Sequence, residues 1–309
     1  MNLRIGSRGS QLALWQANHI AALLRTQGHT VDIQIIKTTG DRLQEVTFAQ
    51  VGSKGMFTKE IEEALAAGSI DLAVHSLKDL PTELPEDFAL AATPQRVDPR
   101  DVFVSKDHPN LASLRQGAKV GTSSQRRRAQ LKALRPDIVS VEFRGNVDTR
   151  LRKLSEGQVD AILLAAAGLD RLEKTEWIRE RLDPAQFCPA AGQGSLGIET
   201  RKDDAATIAA LAFLDDPDTR FAVTAERAAL AALGGGCQVP IGVHCRPATA
   251  SDIEIFAVVA GPESGEAVRI YERASRKGND PVALGRLAAR KLIEAGAGPL
   301  LASVSTVQS

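Results

Sequence analysis

Cys237 is the residue whose surroundings most favour covalent chemistry. Three glycines at 234–236 precede it and Pro240 follows it, so the thiol lies on a segment whose backbone can bend. The alanine-rich run 222–233 predicts a helix before this segment, and 239–245 predicts a strand after it. Cysteine attacks as the thiolate, and an accessible loop suits covalent attachment. The alternative is a small buried residue in a tight turn, since free cysteines are often buried.

A carboxylate follows the short apolar run 71–75, which predicts a buried strand. Asp79 comes directly after Lys78 and shortly before Pro81. The carboxyl end of a strand is where α/β sheets bind ligands, so Asp79 could stabilise a cationic intermediate or accept a hydrogen bond from a ring N–H. The alternative is a turn residue that caps the following loop. His75, at the end of the same strand, is interpreted as structural.

Positive charges recur where predicted strands end. Hydroxyl groups at 122–124 precede three arginines at 126–128 at the start of a predicted helix. Helix N-termini bind anions, and guanidinium groups match carboxylates in bidentate geometry. Solvated surface charge is the alternative for any one of them, but their repeated placement favours a local polyanion site. These cations are Arg8, Lys54, Arg126, Arg127, Arg128, Arg144, Arg150 and Arg171.

The hydrophobic periodicity predicts an α/β scaffold that brings strand ends together. A βαβ opening implies a parallel, right-handed crossover, and the alternation restarts near residue 118. Beyond about residue 217 the order changes to a helix, three strands and a helix, which predicts a small α+β domain carrying Cys237. The predicted helices are 11–27, 60–67, 124–134, 147–155, 222–233 and 281–295, and the predicted strands are 3–6, 31–36, 71–75, 118–121, 139–143, 161–164, 239–245, 252–260 and 267–274.

The length of 309 residues is large for one hydrophobic core, so several domains are expected. We expect a first lobe formed by 1–95 together with 195–214, an arginine-rich second lobe over 100–190, and a C-terminal domain over 217–309. The fold class is therefore α/β, with parallel-rich mixed sheets in both lobes and a smaller α+β domain after them.

Composition excludes several classes of function. The 38 Lys and Arg residues balance 38 Asp and Glu residues, which argues against broad nucleic-acid binding. Three scattered cysteines favour a reducing compartment, and neither they nor the five histidines show metal-ligand spacing. The N-terminus lacks a signal-peptide pattern, and no apolar run is long enough to span a membrane. A cytoplasmic protein without a metal is expected.

Five motifs, in order along the chain, resemble those of the porphobilinogen deaminase family, also called hydroxymethylbilane synthases. The resemblance runs from about residue 3 to at least 295. It implies a transferase of tetrapyrrole biosynthesis that joins four porphobilinogen molecules head to tail, with loss of ammonia, into hydroxymethylbilane. It also implies two lobes like those of type 2 periplasmic binding proteins and a third domain. The expected protein is a monomer, and its product is released or passed to the next pathway enzyme. The motifs are SRGSQLALWQ at 7–16, VHSLKD at 74–79, GTSSQRR at 121–127, RGNV at 144–147 and GGCQVP at 235–240.

The same resemblance implies a dipyrromethane cofactor held by a thioether to Cys237. Asp79 matches the catalytic aspartate of the family, and Lys54 matches the lysine of a mobile loop, with Phe57 just after it. The implied cofactor-binding residues are Lys78, Asp79, Thr122, Ser124, Arg126, Arg127, Arg144 and Gly145. The implied substrate-binding residues are Arg8, Ser10, Lys54, Phe57, Arg144, Arg150, Arg171 and Gln193.

Two departures from the family pattern and two other functions are worth stating. Gln50 replaces a lysine that some members carry, and Gly234 replaces an acidic residue, which predicts a more flexible cysteine loop.

A two-lobed module that binds an anion without chemistry would use the same arginines but would need no flexible cysteine. A cysteine hydrolase would need a histidine base, and His244 lies in the strand after the loop.

Overall fold

The computed structural model describes residues 1–39, 58–235 and 239–307. The chain forms two compact units, Met1–Val97 with Gly194–Arg220, and Asp98–Gln193 with Phe221–Ser309. The described residues hold one five-stranded sheet in the first unit, and a five-stranded and a three-stranded sheet in the second. The division into three domains stays a prediction.

The element order follows the predicted α/β alternation. The strands are β1 (Asn2–Ser7), β2 (Thr30–Ile35), β3 (Leu72–Ser76), β4 (Phe88–Ala92), β5 (Asp101–Val104), β6 (Lys119–Gly121), β7 (Val139–Val141), β8 (Ala161–Ala165), β9 (Ile178–Arg181), β10 (Leu196–Arg201), β11 (Ile241–Pro247), β12 (Asp252–Ala260) and β13 (Ala267–Ser275). The helices are α1 (Gln11–Thr26), α2 (Lys59–Ala66), α3 (Gln125–Leu134), α4 (Val147–Ser155), α5 (Ala166–Arg171), α6 (Ala205–Leu211), α7 (Pro217–Ala232), α8 (Pro281–Leu292) and α9 (Gly298–Val307).

The sheet of the first unit has the strand order β2-β1-β3-β10-β4. Strands β1, β2 and β3 are parallel, and β10 runs antiparallel to both β3 and β4. Strand β3 is buried along nearly its whole length, as expected for a central strand covered on both faces. On one face, Leu72 and Val74 of β3 pack with Ile20 and Leu24 of α1.

The first sheet of the second unit repeats this pattern in the order β7-β6-β8-β5-β9. Strands β6, β7 and β8 are parallel, and β5 is antiparallel to both β8 and β9. The predicted fold class, α/β with parallel-rich mixed sheets, is therefore confirmed. In both sheets the antiparallel strand, β10 or β5, is fourth of the five strands, next to the edge. Neither these two strands nor the edge strands β4 and β9 were predicted. The predicted strands are equally short, so length does not explain the difference.

The C-terminal sheet is an antiparallel meander, β11-β12-β13, as the sequence predicts. One face packs on α7 and α8 through a core that includes Val243, Ile255, Ala229 and Ala288. Helix α8 begins where Asp280 caps two N–H groups ahead of a proline at the first helical position. No helix among the described residues is long and apolar enough to cross a membrane.

Candidate functional site

Asp79 lies at the carboxyl end of β3, in a single 3₁₀ turn over Leu77–Asp79. The N–H of Leu77 donates to the Ser195 carbonyl at 3.0 Å, which fixes the start of the turn. Leu77 and Leu80 are buried on either side, whereas Asp79 is exposed. Within the described chain the Asp79 carboxylate makes no hydrogen bond or ion pair, and so both its oxygens remain available to a ligand. Lys78 beside it is partly buried.

The carboxyl end of β1 brings a second pair of predicted residues to the same edge of this sheet. Because β1 and β3 are parallel, with Gly6 opposite Ala73, the segment holding Arg8 follows the strand next to that of Asp79. Ser10 caps α1, where its Oγ accepts from the Ala13 N–H at 3.3 Å. The buried Gln16 amide donates to Ser76 Oγ at 2.8 Å, which connects α1 to the end of β3.

In the second unit, Arg126 and Arg127 are buried around one carboxylate. Arg126 Nη1 lies 2.6 Å from Asp101 Oδ2, and Arg127 Nε lies 2.8 Å from Asp101 Oδ1. Arg126 also donates to the Cys188 carbonyl, and Arg127 to the Leu163 carbonyl. These charges hold the pKa of the fully buried Asp101 far below its usual range, against the opposing effect of burial, which is the largest. Two guanidinium groups on one carboxylate leave a net positive charge in the interior.

Arg150 is a partly buried cation whose charge is poorly compensated. Burial above all, and then the positive charges of Arg127 and Arg144, lower the pKa of Arg150 to about 10, while Glu142 opposes this. Its Nε is buried and receives no hydrogen-bond acceptor from the described residues. Such a buried donor is costly unless a ligand or water supplies the missing acceptor.

Two further arginines that follow the parallel strands add positive charge. Arg171, at the end of α5, is 8% exposed, and burial lowers its pKa to about 10 despite the nearby Asp170. Arg144 Nε donates to Glu142 Oε1 at 2.7 Å, and Glu142 also pairs with Arg128. The residues after these strands therefore carry more guanidinium than carboxylate groups.

Hydroxyl and backbone groups complete this edge of the sheet. Thr122 Oγ1 accepts from the Ser124 N–H, and Ser124 in turn caps α3. Gly145 has a φ of +124°, and a Cβ there would meet Thr149 at 2.6 Å, so only glycine fits at the start of α4. Gln193 is buried and donates to Asp101 Oδ1 and the Pro99 carbonyl, which the sequence did not indicate.

Cys237, Lys54, Phe57 and Gln50 lie outside the described residues. The end of the helix before Cys237 is described, and it explains Gly234. The Gly235 N–H donates to the Leu230 carbonyl and the Gly234 N–H to the Ala231 carbonyl, which together form a Schellman motif. Gly234 has a φ of +67°, a conformation that favours glycine over the acidic residue of other members.

Several supporting residues were not predicted. Asp101 was not among the predicted site residues, although an acidic residue directly before Val-Phe-Val was a usable signal. Glu226 shares a helix face with Ala222, Ala229 and Leu233, so an isolated charge in that apolar stripe was another signal. His75 is buried and lies 2.9 Å from Glu199 Oε2, a partner distant in sequence that no local pattern identifies.

Fold and site together define an α/β protein with an arginine-rich, anion-accepting sheet edge in one unit and an exposed strand-end carboxylate in the other. Among the described residues no cluster of histidine, cysteine or acidic side chains could hold a metal ion. The signature described as "Porphobilinogen deaminase, dipyromethane cofactor binding domain" matches residues 3–209, and "Porphobilinogen deaminase, C-terminal domain" matches 220–294. The chain belongs to the porphobilinogen deaminase family.

Full-length relatives agree with this assignment. The chain is 51% identical to porphobilinogen deaminase from Trichlorobacter lovleyi, over 98% of this chain and 96% of that protein. It is 50% identical to the enzyme from Chromobacterium violaceum, over 97% of both chains. A solved periplasmic substrate-binding protein of an ABC transporter from Coxiella burnetii is similar at 16% identity and a TM-score of 0.43, covering 71% of this chain and 94% of that one. The strand order of the two five-stranded mixed sheets, and not this similarity, defines the fold class.

Proposed function

We infer that this chain joins four porphobilinogen molecules head to tail into the linear tetrapyrrole hydroxymethylbilane, with loss of ammonia. Its family membership supports this activity. The structural observation that carries it is the buried Nε of Arg150, which has no acceptor among the described residues. Porphobilinogen bears an acetate and a propionate group, so the growing product is a polyanion that needs such a site.

The residues present fit the dipyrromethane cofactor of the family. A cofactor carboxylate would provide the acceptor that Arg150 Nε lacks among the described residues, and the buried Arg171 adds positive charge near the same edge of the sheet. We assign Arg144, Arg150 and Arg171 to these carboxylates, with Cys237 as the point of covalent attachment. When bound, the cofactor supplies the pyrrole carbon to which incoming units are joined.

Arg126 and Arg127 are buried, and we propose that they contribute positive charge to the same site. Their contacts with Asp101 fix them in the interior, where their net positive charge favours an anion nearby. Thr122, Ser124 and Gly145 are proposed further cofactor contacts, and Gln193 a substrate contact. Arg8 and Ser10 are proposed substrate contacts at the other sheet, with Lys54 and Phe57 completing that set.

Asp79 is proposed as the catalytic carboxylate. When ammonia leaves porphobilinogen, positive charge develops on the pyrrole ring, and a carboxylate that accepts the ring N–H stabilises that charge. The turn after β3 anchors Asp79 through buried leucines on both sides and presents its oxygens outward. Lys78 is proposed to contact a carboxylate of the cofactor.

An anion-binding module without chemistry would use the same arginines. The two functions are separated by incubating the purified chain with porphobilinogen, oxidising the mixture in acid and measuring porphyrin absorbance. The proposed enzyme consumes porphobilinogen, releases ammonia and yields coloured porphyrin. A binding module leaves the substrate unchanged, and that result would exclude the enzymatic function.

Replacing Arg150 by methionine is expected to separate activity from stability. The variant loses a charge-assisted hydrogen bond to a carboxylate, which predicts a fall in kcat/KM of roughly 10-fold to 100-fold. Its melting temperature, measured on apoprotein without cofactor or substrate, is expected to stay equal or rise, because burial disfavours the Arg150 charge.

Arg152 on the same helix provides the matched control. Its side chain is 62% exposed and pairs with Glu156, so Arg152→Met should leave kcat/KM within about twofold of the parent. Equal kcat/KM for Arg150→Met and the parent would remove Arg150 from the site.

We also propose that the enzyme is a cytoplasmic monomer that releases its product or passes it to the next enzyme of the pathway. The small number of cysteines supports a reducing compartment, since the described ones, Cys188 and Cys245, are buried and form no disulfide. Size-exclusion chromatography with light scattering tests the monomer.

A further inference from the structure

Glu226 is a charged residue that the proposed chemistry leaves unused. It lies on α7, the helix that leads toward Cys237, and its side chain is fully buried. The face of α7 that holds it otherwise consists of small or apolar residues, among them Ala222 and Ala229. A buried carboxylate is costly unless hydrogen-bond donors surround it, and so its partners indicate what it does.

Both oxygens of Glu226 accept hydrogen bonds from backbone groups of other segments. The Cys245 N–H donates to Oε1 at 2.7 Å, and the Gly192 N–H donates to Oε2 at 2.7 Å. His244 Nδ1 lies 3.4 Å from Oε1. Cys245 belongs to β11, the strand that follows the cysteine loop, and Gly192 belongs to the segment between β9 and β10. One carboxylate therefore connects the helix before the loop, the strand after it and a third segment.

The third segment is connected through hydrogen bonds to the buried Arg126 and Arg127. Gln193, the next residue after Gly192, donates to Asp101, which holds Arg126 and Arg127. Gly192 has a φ of +74°, the left-handed conformation in which glycine is favoured. The same segment also pairs with β11, where the Val243 N–H donates to the Pro189 carbonyl at 3.0 Å.

We propose that Glu226 is a positioning residue for cofactor attachment, which holds α7 and β11 in register with the segment that carries Gln193. This inference rests on the proposed function, in which Cys237 receives the cofactor. In the attachment step a carbon–sulfur bond would form between Cys237 and the aminomethyl carbon of porphobilinogen as its carbon–nitrogen bond breaks and ammonia leaves. Holding the segments on both sides of the cysteine loop in place restricts the nucleophile, and such restriction accelerates a reaction of this kind. The Glu226 carboxylate accepts hydrogen bonds from backbone N–H groups and lies near His244. Its proposed role is therefore to position the cysteine loop.

Glutamine at position 226 is the discriminating substitution. It keeps the volume of the side chain but replaces one accepting oxygen by a donating amide. Either the Gly192 N–H or the Cys245 N–H then faces another donor, and the connection to that segment is lost. We expect loading of the cofactor to slow by about tenfold or more, with turnover per loaded molecule close to that of the parent.

The experiment follows loading directly in the full chain. Apoprotein is produced in cells that cannot make porphobilinogen, porphobilinogen is added, and the intact mass in denaturant is recorded over time. The parent, Glu226→Gln and the control Asp160→Asn are compared. Asp160 is a partly buried carboxylate that likewise accepts a backbone hydrogen bond, from the Lys119 N–H at 2.7 Å. It lies before β8, at the end of that strand opposite to the proposed site residues, so its variant should load at the parent rate.

Slow loading of Glu226→Gln alone supports the inference, whereas loading at the parent rate overturns it, even if the melting temperature falls. If Glu226→Gln does not fold, Glu226→Asp, which keeps the charge on a shorter side chain, is measured instead with the same two outcomes. A parent protein that turns over porphobilinogen without ever gaining mass overturns cofactor attachment itself and with it this inference. If the parent gains the cofactor mass and Glu226→Gln gains it at the same rate, only this inference fails. If the parent never gains mass, the proposed attachment fails, so the two failures are distinguishable.

Discussion

Asp79→Asn is expected to lower kcat by about 100-fold to 1,000-fold while leaving substrate binding nearly unchanged. Asparagine still accepts one hydrogen bond from a pyrrole N–H, but it carries no negative charge to stabilise the cation that forms as ammonia leaves. Because the Asp79 side chain is exposed and makes no ion pair within the described chain, the melting temperature should not change. Steady-state release of ammonia at saturating porphobilinogen measures the effect.

Asp87→Asn is the matched control for this prediction. Asp87 is also exposed and lies in the loop that follows the Asp79 turn, so the same loss of charge occurs outside the proposed site. Its kcat should stay within about twofold of the parent. Turnover of Asp79→Asn at the parent rate would remove Asp79 from the mechanism and leave the turn residue interpretation in its place.

Cys237→Ser is expected to abolish turnover completely. A serine hydroxyl is far less nucleophilic than a thiolate near neutral pH, so the cofactor would not become attached and chain growth would have no starting point. The variant should fold, with a melting temperature equal to that of parent apoprotein, because both lack the stabilisation that bound cofactor provides. Activity and intact mass are measured on the same preparation.

Cys245→Ala and Cys188→Ala serve as controls, because both side chains are buried and form no disulfide. Each variant should be less stable but should still carry the cofactor and turn over porphobilinogen. Loss of the adduct in Cys245→Ala together with its retention in Cys237→Ser would show that Cys245, and not Cys237, is the point of attachment.

Local sequence patterns predicted most of the elements that position the site, but they missed α5, which ends at Arg171, and the strands β4, β5, β9 and β10. The βαβ opening and the C-terminal meander follow from periodicity and from turn residues that act within a few positions. Strands β5 and β10 return from elsewhere in the chain to pair with β8 and β3, and that pairing depends on contacts across many residues. No local pattern contains such information.

The candidate site shows the same limit. The chemical type of Arg126 and Arg150 and their place after strands could be predicted, because helix starts and strand ends have local signatures. Their different environments could not be predicted, since Arg126 pairs with Asp101, whereas the buried Nε of Arg150 finds no acceptor in the part of the chain that the structure describes. This difference arises from tertiary packing, and it decides which arginine is available to a ligand.

The most direct test of the account is the intact mass of the parent protein in denaturant, before and after limiting porphobilinogen is added. We expect the resting protein to exceed its sequence mass by two linked pyrrole units, located by digestion on the peptide that contains Cys237. After substrate is added, further increments of single pyrrole units should appear on the same peptide. A fully active protein that shows only its sequence mass throughout would contradict growth of the product on a tethered primer.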